Sequence, residues 1–152
     1  MPDSPPRLDY ENLDVYRCAI EFLRLALRVA SALPRGESEL RSQLKTAATS
    51  VPLNIAEGTG KPSPADRAHA HAIARGPAME CGALVDVCAI AGYISAEDAR
   101  HGKDLIVRTV AMRRKCVAEI AHAHAHEDVH EDEDASRGRG RARLGPASRV
   151  AR

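Results

Sequence analysis

Aromatic residues are scarce in this chain of 152 residues: 3% in all, with no Trp, one Phe and three Tyr. A β-sandwich leans on aromatic and β-branched side chains, so that class is disfavoured. The hydrophobic fraction is still 44%. It is carried by small and aliphatic residues, which suit close-packed helices. Net charge is nearly absent as well, since 22 basic and 21 acidic side chains leave a formal +1. Whole-chain electrostatics therefore select no class of partner. No run of about 18 uninterrupted apolar residues occurs, so no membrane span is expected. The opening MPDSPPRLDY has no apolar run behind its charges and does not read as a secretory signal. No C-x-x-C pair occurs among Cys18, Cys81, Cys88 and Cys116. Each falls in an apolar helical pattern, so they read as reduced, buried thiols of a cytoplasmic protein. The length suffices for one domain with one core.

What is present is helical periodicity. Residues 1–11 form a flexible, proline-bearing lead-in. A first helix is expected from Leu13 to Leu33, with Asn12 as its N-cap. Its apolar stripe is Tyr16, Ala19, Ile20, Leu23, Leu27, Ala30 and Leu33, opposite a charged stripe of Asp14, Arg17, Glu21, Arg24 and Arg28. Pro34 and Gly36 end it. A second helix covers Ser38 to Gly58. Ser63-Pro64-Ala65-Asp66 carries three helix-start signals and opens a third, Ala- and Gly-rich helix that runs to Ala91, with a kink near Ile73 caused by Pro77 and Gly92 past its end. Ser95-Ala96-Glu97-Asp98 opens a fourth helix, to Ala121, with its stripe at Ile106, Val110, Val117 and Ala121, widened by Leu105, Met112, Cys116 and Ile120. Short connections make successive helices antiparallel neighbours. The expected fold is all-α: an up-down-up-down four-helix bundle over residues 12–121.

Residues 122–152 differ in character. Six acids lie between Glu127 and Asp134, and six arginines between Arg137 and Arg152. Large apolar side chains are almost lacking, so this tail is expected to be disordered. His126-Glu127-Asp128-Val129-His130 matches the H-E-x-x-H pattern of zinc proteases, but in an acidic, low-complexity setting without a supporting apolar shell. The expectation is no metal site, with His122, His126 and His130 as weak candidate ligands at i, i+4 and i+8. Gly58-Thr59-Gly60-Lys61 resembles the end of a phosphate loop. The required earlier glycine is Ile55, and no strand precedes it, so nucleotide hydrolysis is discarded. His69 and His71 read as surface or interface residues.

One stretch departs from ordinary helix chemistry. In SVPLNIAEGTGK, residues 50–61, Pro52 sits between Val51 and Ile55 on one apolar stripe. It removes a backbone donor and crowds the carbonyl of Ala48. Ser50, Asn54, Glu57 and Lys61 fall on one polar strip. The reading is a kink with a polar lock: Asn54 bonds a freed carbonyl or a neighbouring helix, Glu57 pairs with Lys61, and Gly58 stops the helix. A lone Glu57 with no nearby histidine or second acid does not make a catalytic pair. No catalytic residue and no cofactor are assigned. The candidate phosphate contacts are Arg41 and Lys45 on the second helix, Arg108, Arg113, Arg114 and Lys115 on the fourth, and Arg137, Arg139, Arg141 and Arg143 in the tail.

Several of these motifs together resemble the bacterial 23S rRNA intervening-sequence proteins. They are Asn12-Leu13-Asp14-Val15-Tyr16, then Gln43-Leu44-Lys45, then Ser50-Val51-Pro52-Leu53-Asn54-Ile55-Ala56-Glu57-Gly58. Further on come Ala74-Arg75-Gly76 with Glu80, and Gly92-Tyr93-Ile94-Ser95. The likeness spans residues 10–121. Three departures are visible. Thr46 stands where the family has a second basic residue, Arg67-Ala68-His69-Ala70-His71 where it has aromatics, and Pro77 where it has Ser. The resemblance implies a ring-shaped homo-oligomer, with a pentamer as the expected form, and no enzymatic activity. A similar bundle is the accessory protein of diversity-generating retroelements, which binds nucleic acid and a reverse transcriptase. The expected function is a non-catalytic oligomeric scaffold or accessory factor that binds nucleic acid, RNA before single-stranded DNA. The alternative is a protein-protein assembly module without a nucleic-acid role.

Overall fold

The computed structural model describes the backbone of residues 7–73 and 75–140 and the side chains of residues 7–73, 75–119 and 122. Every regular element among the described residues is helical. A 3-10 turn, Asp9–Asn12, leads into α1 (Asp14–Ala32), followed by α2 (Ser38–Thr59), α3 (Pro64–Ile73), α4 (Arg75–Ile90) and α5 (Ala96–Gly140). α3 and α4 flank Ala74 and together occupy the place of the expected third helix. The kink expected from Pro77 falls beside Ala74, outside the described residues.

The neighbour pattern is that of a four-rod bundle. α1 packs on α2 and α5, while α3 and α4 both pack on α2 and on α5. Among the described residues, the backbones of α1 and α4, and of α2 and α5, stay apart across the core. Each rod thus touches its sequence neighbours and the last closes on the first, as short antiparallel connections require. The fold is all-α, as expected.

Local chemistry sets most of the ends. Ser63 Oγ accepts from the amide of Asp66 at 3.0 Å and donates to its carboxylate at 2.6 Å. Ser95 Oγ accepts from the amide of Asp98 at 3.0 Å. Gly92, with φ +73°, takes the left-handed conformation past the end of α4. The amide of Tyr93 then bonds the carbonyl of Cys88 at 2.9 Å and that of Gly92 bonds Ala89 at 3.1 Å, the paired closure that a left-handed glycine permits. Two expectations are corrected. Asn12 belongs to the 3-10 turn, and the N-cap of α1 is Leu13, whose side chain makes no capping bond. Gly58 does not stop α2, which runs on to Thr59 with Gly60 as its C-cap.

The core is aliphatic and small. Fully enclosed positions include Phe22, Ala30, Leu44, Ala48, Val51, Ile55, Ala78, Cys81 and Leu105. α1 is rotated relative to the expected stripe. Val15, Cys18, Phe22, Leu25 and Val29 are buried, together with the expected Ala19, Ala30 and Leu33, while Tyr16, Ile20 and Leu23 are half-buried and Leu27 is exposed. The apolar arc of α1 is wide enough to hold two overlapping stripes, and periodicity alone does not select the one that faces two neighbours. All four cysteines are free thiols, three of them buried and Cys116 half-buried. Burial pushes the Cys81 thiol up to about 12, beyond the reach of ordinary thiolate chemistry.

Polar ties join the rods at the rim. Arg28 reaches both carboxylate oxygens of Asp98, at 2.7 and 3.2 Å, linking α1 to α5. Tyr93 donates to Glu37 at 2.7 Å, and Lys103 reaches Asp86 at 2.6 Å. Beyond Ala121, where the apolar stripe ends, the backbone of α5 is helical to Gly140. The sequence there offers no apolar face to pack against the bundle, and such a segment is marginal as an isolated helix. The remainder of the tail, residues 141–152, lies outside the described residues.

The two sides of Pro52 give a direct contrast. Ile55 is 0% exposed and Leu53 is 63% exposed. Ile55→Ala is expected to lower the unfolding free energy by about 2–5 kcal/mol, and Leu53→Ala to stay within about 0.5 kcal/mol, in urea denaturation.

Candidate functional site

The proline motif of α2 is built for packing. Pro52 and Gly58 are buried, and Ser50 returns its hydroxyl to the carbonyl of Thr46 at 2.8 Å. Glu57 pairs with Lys61 at 3.1 Å, both exposed, so the pair contributes only a few tenths of a kcal/mol, of the order of ~0.3. Asn54 is half-buried and makes no side-chain hydrogen bond among the described residues, so the polar lock assigned to it is not formed there. Gly58 instead marks a close helix crossing. A Cβ at this position would lie 3.1 Å from the Cβ of Ala70 on α3, a contact that no rotamer change relieves. Gly102 plays a similar part on α5, where a Cβ would meet Leu25 at 3.1 Å and Val85 at 3.4 Å.

The basic residues divide by role. Arg41 is taken up by structure: its Nε donates to the carbonyl of Ala30 at 3.0 Å and its Nη2 to those of Leu33 and Pro34 at 2.7 and 3.0 Å. It closes the C-terminal end of α1, satisfying carbonyls that have no intrahelical partner, and is not presented as a phosphate contact. Lys45, Arg108, Arg114 and Lys115 are exposed. Arg108 lies 3.6 Å from Asp104 and Lys115 3.9 Å from Glu119, both on exposed helix faces, pairs that water and salt readily loosen. Arg137 and Arg139 fall on α5 with side chains outside the described residues, and Arg141 and Arg143 lie wholly outside them. His122 is exposed, and the side chains of His126 and His130 are outside the described residues. Among those described, no group of three metal-binding side chains gathers.

Arg113 departs furthest from the sequence reading. It is 3% exposed, on the seam of α5 that also buries Gly102, Leu105, Ile106 and Thr109. Its Nη2 donates to the carbonyl of His71, and its Nε and Nη1 are enclosed without partners among the described residues. Burial lowers its pKa to about 10, so it stays a cation at neutral pH. His71, expected at the surface, is 6% exposed, and its Nδ1 is enclosed without a partner among the described residues. His69 alone of the two is exposed. Burial first, and the charge of Arg113 second, hold His71 below the ordinary histidine range. A hollow of about 390 Å³ borders these side chains, with Arg75 and Arg114 at its edge and Val110 and Val117 in its wall. The motif search missed this place because its signal, a charged residue in the apolar register of a helix, looks like one more member of Arg113-Arg114-Lys115. Counting Leu105, Thr109 and Arg113 at i, i+4 and i+8 would have found it.

The described residues form an all-α bundle with close small-residue crossings and one buried arginine. The family model of the 23S rRNA-intervening sequence proteins matches residues 11–115, and the chain belongs to that family. No curated protein matches it.

The depressed pKa of His71 has a consequence for stability. Its unfolded form binds a proton more readily than its folded form, so stability is intact above the ordinary histidine pKa of about 6.5 and is lost as pH falls through and below it. Thermal unfolding followed from about pH 7.5 to about pH 5 is expected to show this decline. His71→Gln should flatten it, and an unchanged slope would remove His71 as its source.

Proposed function

We propose that this protein is a non-catalytic, self-assembling helical bundle that binds nucleic acid, RNA before single-stranded DNA, as a scaffold or accessory factor in the cytoplasm. The observation that carries the reading is membership of a family named for the intervening sequence of 23S rRNA. Support from geometry is modest and local: Lys45, Arg114 and Lys115 stand exposed, and Arg75 lies beside Arg114 at the rim of one hollow. Guanidinium and ammonium groups so placed neutralise phosphates without reading sequence. No helix among the described residues is long and apolar enough to cross a membrane.

Self-assembly, as a ring and as a pentamer in the form the resemblance implies, belongs to the same proposal. Met79 and Val107, both more than half exposed, border a second groove of about 430 Å³ between α4 and α5. Ile90 on α4 and Leu53 on α2 add further exposed apolar surface, and surface of this kind marks contact sites. A reverse transcriptase as protein partner is also carried by the resemblance. The same groove, together with the near-zero net charge, favours the second reading, an assembly module with no nucleic-acid role.

Mobility-shift titrations at two salt concentrations separate the two. The proposal expects a shift on RNA that weakens with salt. The combined substitution Lys45→Gln, Arg114→Gln and Lys115→Gln should reduce the salt slope by about 2 to 3. No shift at low salt would leave the assembly module standing. Light scattering tests assembly itself, and a monomer at micromolar concentration would contradict the ring.

A further inference from the structure

Arg113 poses a problem that neither the bundle nor RNA binding at an exposed face resolves. A guanidinium carries five N–H donors and a fixed positive charge. Here one nitrogen serves the carbonyl of His71, while Nε and Nη1 are enclosed with no partner among the described residues. Arg113 lines a hollow together with Val110 and Val117 on its own helix and Ala72 on α3. Among the described residues no carboxylate lies within ion-pair distance of it, whereas Arg28, Arg108, Lys103 and Lys115 each have one. A buried cation of this kind is normally compensated by an anion.

The hollow beside it has the properties such an anion would need. It measures about 390 Å³, within the size range of small-molecule sites, about 300–1,000 Å³. Three arginines border it, Arg75, Arg113 and Arg114, and none of its lining residues is acidic. His71, whose charged form burial and Arg113 disfavour, lines it too, and its Nδ1 is enclosed without a partner among the described residues. Arg113 lines the hollow, so its fixed charge stands at the wall against which a ligand would seat. Three guanidinium groups match a doubly charged oxyanion better than a single carboxylate, and planar guanidinium donors suit phosphate oxygens. The apolar wall suits a ligand with a body behind its charged head.

We propose that the hollow between α3 and α5 is a binding site for a phosphate monoester, its phosphate held by Arg113 with Arg75 and Arg114. A free nucleotide and the 5′ end of a nucleic-acid strand both present this group. The site shares Arg75 and Arg114 with the surface proposed for RNA but adds the enclosed Arg113, and binding there does not require RNA binding.

Thermal unfolding of the full chain tests this with adenosine 5′-monophosphate, adenosine and inorganic phosphate, each at matched ionic strength against sodium chloride. The monophosphate is expected to raise Tm saturably, by about 3–6 °C at ten times its Kd, and adenosine to leave it unchanged. A 5′-phosphorylated oligonucleotide compared with its 5′-hydroxyl form distinguishes a strand end from a free nucleotide. Arg113→Met, which removes the buried charge and keeps an unbranched apolar stem, should raise the ligand-free Tm and abolish the response. Arg75→Gln should weaken the response, and Arg108→Gln, outside the hollow, should preserve it. No saturable rise with either phosphate compound would overturn the proposal, as would a rise that survives in Arg113→Met or is matched by sodium chloride. A fall in Tm for Arg113→Met without any phosphate response would leave Arg113 a structural donor to His71, or a contact between copies if the assembled form is lost with it. RNA mobility shifts on Arg113→Met, expected unchanged, keep the two readings separable.

Discussion

The distance between helix backbones is the constraint on which the rest of this structure depends. A chain with one Phe and no Trp cannot fill wide gaps between rods, so the rods must come close. Ala30, Ala48 and Ala78 are fully enclosed on three different helices, and Gly58 and Gly102 stand where even a Cβ would crowd a neighbour. Dense packing of small groups recovers dispersion contacts that a looser aliphatic core would forfeit. Phe22 and Leu105, among the largest enclosed side chains, occupy the space that remains. Pro52 belongs to the same arrangement, buried on the face of α2 that carries Val51 and Ile55.

Close approach also explains the polar seam. At Gly58 the backbone of α2 comes near α3, and a Cβ there would lie 3.8 Å from Nε2 of His71. His71 lies enclosed beside this crossing, its carbonyl accepts from Arg113, and the pair hold three nitrogens lacking partners among the described residues. Polar groups left so in an apolar setting reduce stability. Their retention at the border of a hollow is the reason to look for a ligand there, not a reason to count them as glue.

Much of the fold was legible from sequence because it is written locally. Ser63, Ser95 and Gly92 are end signals whose chemistry involves residues three or four away, and each behaves as its type predicts. Ser38 begins α2, as the sequence pattern indicates. What failed depends on tertiary context. The rotation of α1 is decided by which arc meets two neighbours. The role of Gly58 is decided by Ala70, which is distant in sequence. The roles of Arg41 and Arg113 were invisible because an arginine reads as surface charge until its partners are known: three carbonyls for the first, an enclosed seam for the second. The candidate site was therefore legible only as a list of cations, of which four remain exposed on α2 and α5. The family likeness, by contrast, rests on the contiguous motif at residues 50–58, and the match over residues 11–115 bears it out.

The close-crossing account is tested most directly by enlarging one enclosed alanine without altering helix propensity. Leucine and alanine are both strong helix formers, so Ala48→Leu, at a fully enclosed site, mainly changes what the side chain meets, while the control Thr49→Leu, on the exposed face of the same turn, adds only the few tenths of a kcal/mol by which Leu exceeds Thr in helix propensity. Urea denaturation of the two should show Ala48→Leu less stable than the parent by about 1–3 kcal/mol, and Thr49→Leu unchanged or slightly more stable. Equal stability of the two variants would contradict the account.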